Sequence, residues 1–233
     1  MKTLKVVAIS DTHNRHKELT IPECDILIHA GDYSFKGYDG EVKRFYSWLN
    51  KQPAKYKISI QGNHELGWES NPKGCKKIAM KECPDVILLD NEEVVIEGVK
   101  IYGFAETPWF YDWAFNRARS KAESEKYHVP LMKDNTDRIP KDVNILVTHG
   151  PPYGILDELL YVNGDPKGQF VGCEDLLKRV IEVKPDVHIF GHIHCGYGEK
   201  HIEGTSYYNA SICDEMYSAS NEVTVIDYLT DDD

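Results

Sequence analysis

Short apolar runs recur along the chain with the length expected of buried strands. They are Leu4–Ile9, Asp25–His29, Lys57–Ile60, Val86–Leu89, Val94–Ile96, Lys100–Phe104, Asn144–Val147, Val187–Phe190, Ser206–Tyr208 and Glu222–Asp227. Two segments carry the helical period instead. Val42, Phe45, Tyr46 and Leu49 share one face over Glu41–Leu49. Leu176, Leu177, Val180 and Ile181 share one face over Glu174–Val183, and Lys184-Pro185 ends that helix. Strand–helix–strand alternation predicts an α/β fold. The strands fall into an N-terminal and a C-terminal group, which predicts two stacked sheets with helices outside. No repeat, low-complexity tract or flexible linker interrupts the pattern. Residues 1–233 are therefore expected to form one domain, with Asp231-Asp232-Asp233 as a frayed tail.

Five of the strands run directly into polar residues of a restricted kind. Val6–Ser10 leads into Asp11-Thr12-His13, and Ile26–Ala30 into Gly31-Asp32. Tyr56–Gln61 leads into Gly62-Asn63-His64-Glu65, Ile145–Thr148 into His149-Gly150, and Val187–Phe190 into Gly191-His192-Ile193-His194. In an α/β sheet the carboxyl ends of strands converge on one crevice, where ligands bind. Carboxylate, amide oxygen and imidazole together suit Mn²⁺, Fe²⁺, Co²⁺ and Zn²⁺. Asp-x-His and His-x-His spacings put alternate side chains on one side of an extended segment. Asp11, His13, Asp32, Asn63, His149, His192 and His194 are more ligands than one ion uses, and they fill two sites of four if Asp32 bridges. Divalent ions ~3.5–4 Å apart are the machinery of phosphoryl hydrolysis. Any one of these motifs alone is more often structural than functional. All five in this order, each closing a strand, argue strongly for function.

Composition narrows the picture. Of 233 residues, 41% are hydrophobic, enough for a sizeable core. Lys+Arg is 27 against Asp+Glu 38, a net charge of −11. The overall field repels phosphate, so phosphate chemistry must rely on local cations, and duplex nucleic acid is not an expected partner. No apolar stretch reaches the length of a signal peptide or a membrane span, so a cytoplasmic protein without a membrane partner is expected. The six cysteines lack a Cys-x-x-Cys pair and read as reduced thiols. Cys195 directly follows His194, where oxidation could disturb the site.

The five blocks resemble those of the calcineurin-like metallophosphoesterases. Within that family the chain is similar to the metallophosphoesterase-domain-containing proteins and to class III cyclic-nucleotide phosphodiesterases. Asp112-Trp113-Ala114-Phe115-Asn116, His149-Gly150-Pro151-Pro152, Val171-Gly172-Cys173 and Asn209-Ala210-Ser211 extend the likeness to the former over nearly the whole chain. The resemblance implies a four-layer α/β/β/α sandwich of two stacked mixed sheets. It implies a first metal held by Asp11, His13, Asp32 and His194, and a second held by Asp32, Asn63, His149 and His192. It implies a metal-dependent phosphoric diester hydrolase for small phosphodiesters, cyclic nucleotides included, with two divalent ions per chain. Mn²⁺ is the first expectation, with Fe²⁺, Co²⁺ and Zn²⁺ behind it. The mechanism expected is attack by a metal-bridging hydroxide, with His64 protonating the leaving oxygen.

Departures from sister families sharpen this. No arginine follows Gly31-Asp32, where protein Ser/Thr phosphatases carry one to grip phosphate. Phe35 stands where purple acid phosphatases place a metal-binding tyrosine, and there is no room for the DNA-capping domain of repair nucleases. A phosphomonoesterase for phosphoprotein or nucleotide is the main alternative, then a nuclease or a non-catalytic scaffold, the last opposed by the complete ligand set. Asn116 is a candidate substrate contact, weighed against the capping of a local turn. Trp109, Phe110, Tyr111, Trp113 and Phe115 are expected to pack in the core, with part of the cluster available to wall a base. Tyr33, Tyr153 and Tyr197 lie beside motif loops as candidate cleft residues, whereas His16 and His29 read as structural.

Overall fold

Two mixed sheets lie face to face in a computed structural model that describes residues 2–159 and 168–230; the acidic tail falls outside the described residues. Their strands are β1 (Lys2–Ile9), β2 (Cys24–Ala30), β3 (Ala54–Ile60), β4 (Val86–Leu88), β5 (Glu92–Ile96), β6 (Val99–Phe104), β7 (Ile145–Thr148), β8 (Val187–Phe190), β9 (Gly198–Ile202), β10 (Thr205–Asn209) and β11 (Thr224–Thr230). The first sheet has the order β11-β1-β2-β3-β4, the second β9-β10-β8-β7-β6-β5. β1 to β4 run parallel, and β11 pairs antiparallel with β1. In the second sheet β6, β7, β8 and β10 are parallel, with antiparallel strands at both edges. The division into N-terminal and C-terminal strand groups therefore holds except for β11. That last strand returns to cover the open edge of β1.

The apolar runs are continuous because the parallel strands are covered on both faces. Val6, Ala8, Ile26, Ile28, Ile58 and Ile60 meet Ile101, Ile145, Val147 and Ile189 between the sheets. Val7, Ile9 and Leu27 point the other way, onto Val42, Phe45, Tyr46 and Leu49 of α1 (Asp39–Leu49) and onto Cys75 and Ala79 of α2 (Pro72–Glu82). Phe104, Leu146 and Phe190 pack on Leu176, Val180 and Val183 of α3 (Glu174–Val183). The result is the four-layer α/β/β/α sandwich. Truncating a fully buried Ile58 to Ala would cost ~2–5 kcal/mol.

The two sheets are stitched at the rim where their parallel strands end. Ser10 N–H donates to Ala210 O at 2.8 Å, and Ile212 N–H donates to Ser10 O at 2.9 Å. This joins the end of β1 to the end of β10 and aligns the loops after β1, β2, β3, β7 and β8 along one edge.

Candidate metal centre

Each candidate ligand sits on the turn that ends its strand, and several of those turns are strained. Asp11, His13, Asp32 and His192 have φ of 50°, 39°, 57° and 70°. Side chains rarely adopt such angles, and structures keep them mainly where a site demands it. The glycines allow the close approach. A Cβ on Gly31, itself at φ 97°, would lie 2.6 Å from both Gln61 O and His149 Nδ1. A Cβ on Gly191 would fall on Asp11 Oδ2 and Ser10 Oγ.

The turns bring the predicted side chains together. Ligand atoms of Asp11, His13 and His194 lie within 4.8 Å of one another, as do those of Asp32, His149 and His192. A third trio, His13, Asp32 and His64, is as close, so Asp32 belongs to groupings on both sides. Asn63 joins through Oδ1, 2.9 Å from His149 Nε2. Asp32 Oδ2 is 3.3 Å from His149 Nε2 and 3.9 Å from His64 Nε2.

Backbone carbonyls set the tautomers. His13 Nδ1 bonds to Ser34 O at 3.2 Å, His149 Nδ1 to Ala30 O at 2.9 Å and His194 Nδ1 to Asp214 O at 2.8 Å. A carbonyl only accepts, so each Nδ1 donates and the Nε2 side of each ring turns inward. His13 Nε2 and His194 Nε2 then face each other at 3.2 Å. Asp11 Oδ2 is satisfied by the His192 N–H at 2.8 Å and the Ser211 hydroxyl at 2.9 Å, whereas its buried Oδ1 has no hydrogen-bond partner. That oxygen lies 3.5 Å from His194 Nε2. Inward-turned imidazole nitrogens beside an orphaned, buried carboxylate oxygen fit a cation.

The electrostatics agree. Burial acts to lower the His149 and His194 rings but is outweighed by Asp32 and Asp11 respectively, so both pKa values rise to about 9. Burial works against the Asp11 and Asp32 carboxylates, yet the surrounding histidines hold both below the usual carboxylate range. Burial lowers His13 to about 4 and His192 to about 3. Without metal the site thus supplies its own positive charge, as protons on His149 and His194. Glu65, fully buried, binds the loops from behind. Its carboxyl group, whose pKa is raised to about 8 by burial and by neighbouring Asp32, accepts from Asp32 N–H at 2.9 Å, Gly62 N–H at 2.7 Å and the Ser34 hydroxyl at 2.8 Å.

Above the ligands lies an open pocket of ≈ 270 Å³, lined among the described residues by Asp32, Asn63, His64, Phe110, Trp113, Leu159, His192 to Cys195, Glu215 and Tyr217. The aromatic cluster divides: Phe115 packs against the core as expected, whereas Phe110 and Trp113 line the pocket. Phe110 meets the His192 ring edge-on at 5.1 Å, Trp113 stacks on His64 at 4.4 Å, and Tyr111 is 77% exposed. The segment between Thr107–Pro108 and Asn116–Arg117 is a loop over the site, because its aromatics follow no strand or helix period. Asn116 is buried and turned back on this loop, its amide donating to Tyr111 O and Trp113 O at 2.8 Å each. It therefore holds the turn and does not line the pocket. Tyr33 stacks on Phe45 inside the core, Tyr153 packs near Phe170 and the Tyr197 hydroxyl donates to Glu222 O, so none of the three lines the cleft. His16 and His29 are buried, as a structural role requires. All six cysteines are reduced, and Cys195 donates to Glu158 O at the pocket edge.

Tyr217 and Glu215 are pocket residues that sequence reasoning missed. They follow no motif, and reach the site because Asp214 O receives His194 Nδ1 and Tyr217 adopts a φ of 58°. The Tyr217 ring meets His13 edge-on at 4.8 Å.

This fold, with its strand-end ligand cluster, defines a metallophosphoesterase. Residues 4–196 match the family description calcineurin-like phosphoesterase, and the chain belongs to that family, whose members use divalent metals. The chain is 38% identical over 247 aligned residues to metallophosphoesterase domain-containing protein 1 of Homo sapiens and of Mus musculus, covering 97% of this chain and 71% of each relative. The solved structure of phosphopantetheinyl hydrolase from Mycobacterium tuberculosis shares the fold, with a TM-score of 0.60 at 17% identity, covering 97% of this chain and 96% of that one. No helix among the described residues is long and apolar enough to cross a membrane.

Proposed function

We propose that this chain, read as one catalytic domain, is a binuclear phosphodiesterase for small diesters. One observation carries the diester preference. The described residues lining the pocket include no lysine or arginine, and they include the carboxylate of Glu215. A dianionic monoester would find no lysine or arginine among the described residues that line the pocket, while a monoanionic diester needs less charge and can rest its organic arms on Phe110, Trp113 and Tyr217. The net charge of −11 further disfavours duplex nucleic acid, whose binding depends on many Lys and Arg contacts to phosphate.

Asp11, His13, Asp32 and His194 would hold one ion, and Asp32, Asn63, His149 and His192 the other. Bound there, two divalent ions supply positive charge for phosphoryl oxygens and acidity for an attacking water. Mn²⁺ leads as the family resemblance suggests, and the mixed carboxylate, amide and imidazole donors equally suit Fe²⁺, Co²⁺ and Zn²⁺. The chain's own residues do the remaining work. The carbonyl-anchored histidines and the doubly bonded Asp11 keep the donors fixed, so little reorganisation is needed on binding. His64 Nδ1 donates to Phe35 O at 3.1 Å, which leaves Nε2 facing the pocket. Protonated, His64 carries its second proton on Nε2 and gives it to the departing ester oxygen.

Turnover with saturating Mn²⁺ tests this reading. Bis(p-nitrophenyl) phosphate and 2′,3′- or 3′,5′-cyclic nucleotides should exceed p-nitrophenyl phosphate in kcat/KM. Monoester turnover above every diester would make the chain a phosphomonoesterase.

A further inference from the structure

The loop over the pocket is fastened at every turn. Ala114 N–H donates to Asn63 O at 3.1 Å, and Phe115 N–H to Glu69 Oε1 at 2.8 Å. The Asn116 amide ties Tyr111 O and Trp113 O, and at the neck Arg117 Nη2 donates to buried Glu106 at 2.8 Å. These bonds hold Tyr111 at φ 48° and Phe115 at φ 58°, a conformation that bulky side chains avoid. Strain retained by so many bonds points to a purpose in the loop's shape.

That shape delivers one contact to the site. The Trp113 ring lies on the His64 imidazole, with centroids 4.4 Å apart and planes 28° from parallel. Lys36 Nζ sits 4.6 Å from the same Trp113 centroid, a cation over an aromatic ring. Elsewhere the His64 ring meets the Phe35 carbonyl at 3.1 Å, the edge of His13 at 4.6 Å and the edge of Tyr217 at 6.3 Å, and its main-chain N–H donates to Asp32 Oδ1 at 2.8 Å. The one ring hydrogen bond and the edge contacts restrain the imidazole but leave it room to rock about its Cβ–Cγ bond. A flat group on its face removes that freedom.

We propose that Trp113, with the exposed Lys36 ammonium over its ring, is the positioning residue that keeps His64 Nε2 turned toward the Asp32 side of the pocket. Its kinetic test rests on the proton-donor reading of His64 given above; its structural test does not.

The full-length chain serves for both. In metal-free protein, the His64 ring protons, assigned by their loss in His64→Ala, should lie upfield from the Trp113 ring current. Trp113→Ala should abolish that shift and Trp113→Phe should keep part of it. With Mn²⁺, Trp113→Ala should lower kcat ~10–100-fold for a diester with an alkyl leaving group, since a misplacement of ~1 Å can cost about 10²-fold. The loss should be smaller for bis(p-nitrophenyl) phosphate, with KM changed less than ~twofold for both. Trp113→Phe should recover most of the rate, and Lys36→Met should fall between wild type and Trp113→Ala. Should Trp113→Ala fail to fold, Lys36→Met and Trp113→Phe decide by the same two readouts. Unmoved His64 resonances, or a KM rise at constant kcat, would overturn the proposal and make Trp113 a wall for substrate. If wild-type protein turns over no diester while the resonances respond as stated, the proposed function fails and the positioning contact stands.

Discussion

Asp11 Oδ2 accepts the main-chain N–H of His192 at 2.8 Å, across 181 residues of sequence. A carboxylate at the end of β1 thereby fixes the backbone of a ligand turn at the end of β8, in the opposite sheet. Its other oxygen stays available for a cation, so one side chain both assembles the site and serves it.

This relationship makes Gly191 sensitive. A Cβ there would displace Asp11 Oδ2, so Gly191→Ala should destabilise the chain by ~1–3 kcal/mol, the usual cost of overpacking. It should also lose metal from the Asp11 side first. Thermal unfolding and elemental analysis check both effects. Full metal content with unchanged stability would contradict the geometry.

Asp32 should serve both ions. Protein reconstituted with Mn²⁺ should approach two equivalents by elemental analysis, and Asp32→Ala should lose most of both. Retention of both ions in that variant would sink the bridging assignment.

His64→Ala should keep its metals and turn over slowly. General acid catalysis is worth roughly 10²–10⁴-fold. The loss should be largest for alkoxide leaving groups and small for p-nitrophenolate, which barely needs a proton. An equal loss across leaving groups would assign His64 a binding role.

Metal binding should release protons. His149 and His194, with pKa values raised to about 9, are charged at neutral pH in the metal-free chain, and ligation needs them neutral. Loading both sites at pH 7 should therefore release about two protons, read by calorimetry in buffers of different ionisation enthalpy. Affinity should rise with pH up to about 9 and then level.

The same shifts shape metal-free stability. Raised His149 and His194 contribute fully below the unfolded pKa of ~6.5, and that contribution is lost as pH rises through about 9. Burial lowers His13 and His16 to about 4 and His29, His188 and His192 to about 3, so their contribution is complete above ~6.5 and lost as pH falls. With chelator present, the unfolding midpoint should peak near pH 6.5 and decline on both sides. A midpoint still climbing from pH 7 to 9 would refute this.

The strands and the convergence of the candidate ligands were legible because five of the apolar runs end in ligand-type motifs, and a parallel sheet buried on both faces leaves little alternation to misread. β9 was not, since Gly198–Ile202 is an edge strand with almost no buried side chain. α2 buries only Cys75 and Ala79, too thin a stripe to stand out. The role of the 109–115 loop stayed hidden for a different reason. Aromatic residues read as core by composition alone, and only tertiary hydrogen bonds from Asn63 and Glu69 turn them toward the site. Tyr217 depends on a left-handed backbone angle that no local pattern announces.

The pairing of β11 with β1 has a consequence for how the molecule is made. Lys2 finds its partner in Thr230, so one side of the first strand stays unpaired until almost the whole described chain has been synthesised. Until then β1 presents a bare, apolar parallel edge, the kind of surface on which nascent chains associate. Loop closure over that span is slow. Truncation before Thr224 should leave a chain that collapses but aggregates, even though it retains every candidate metal ligand.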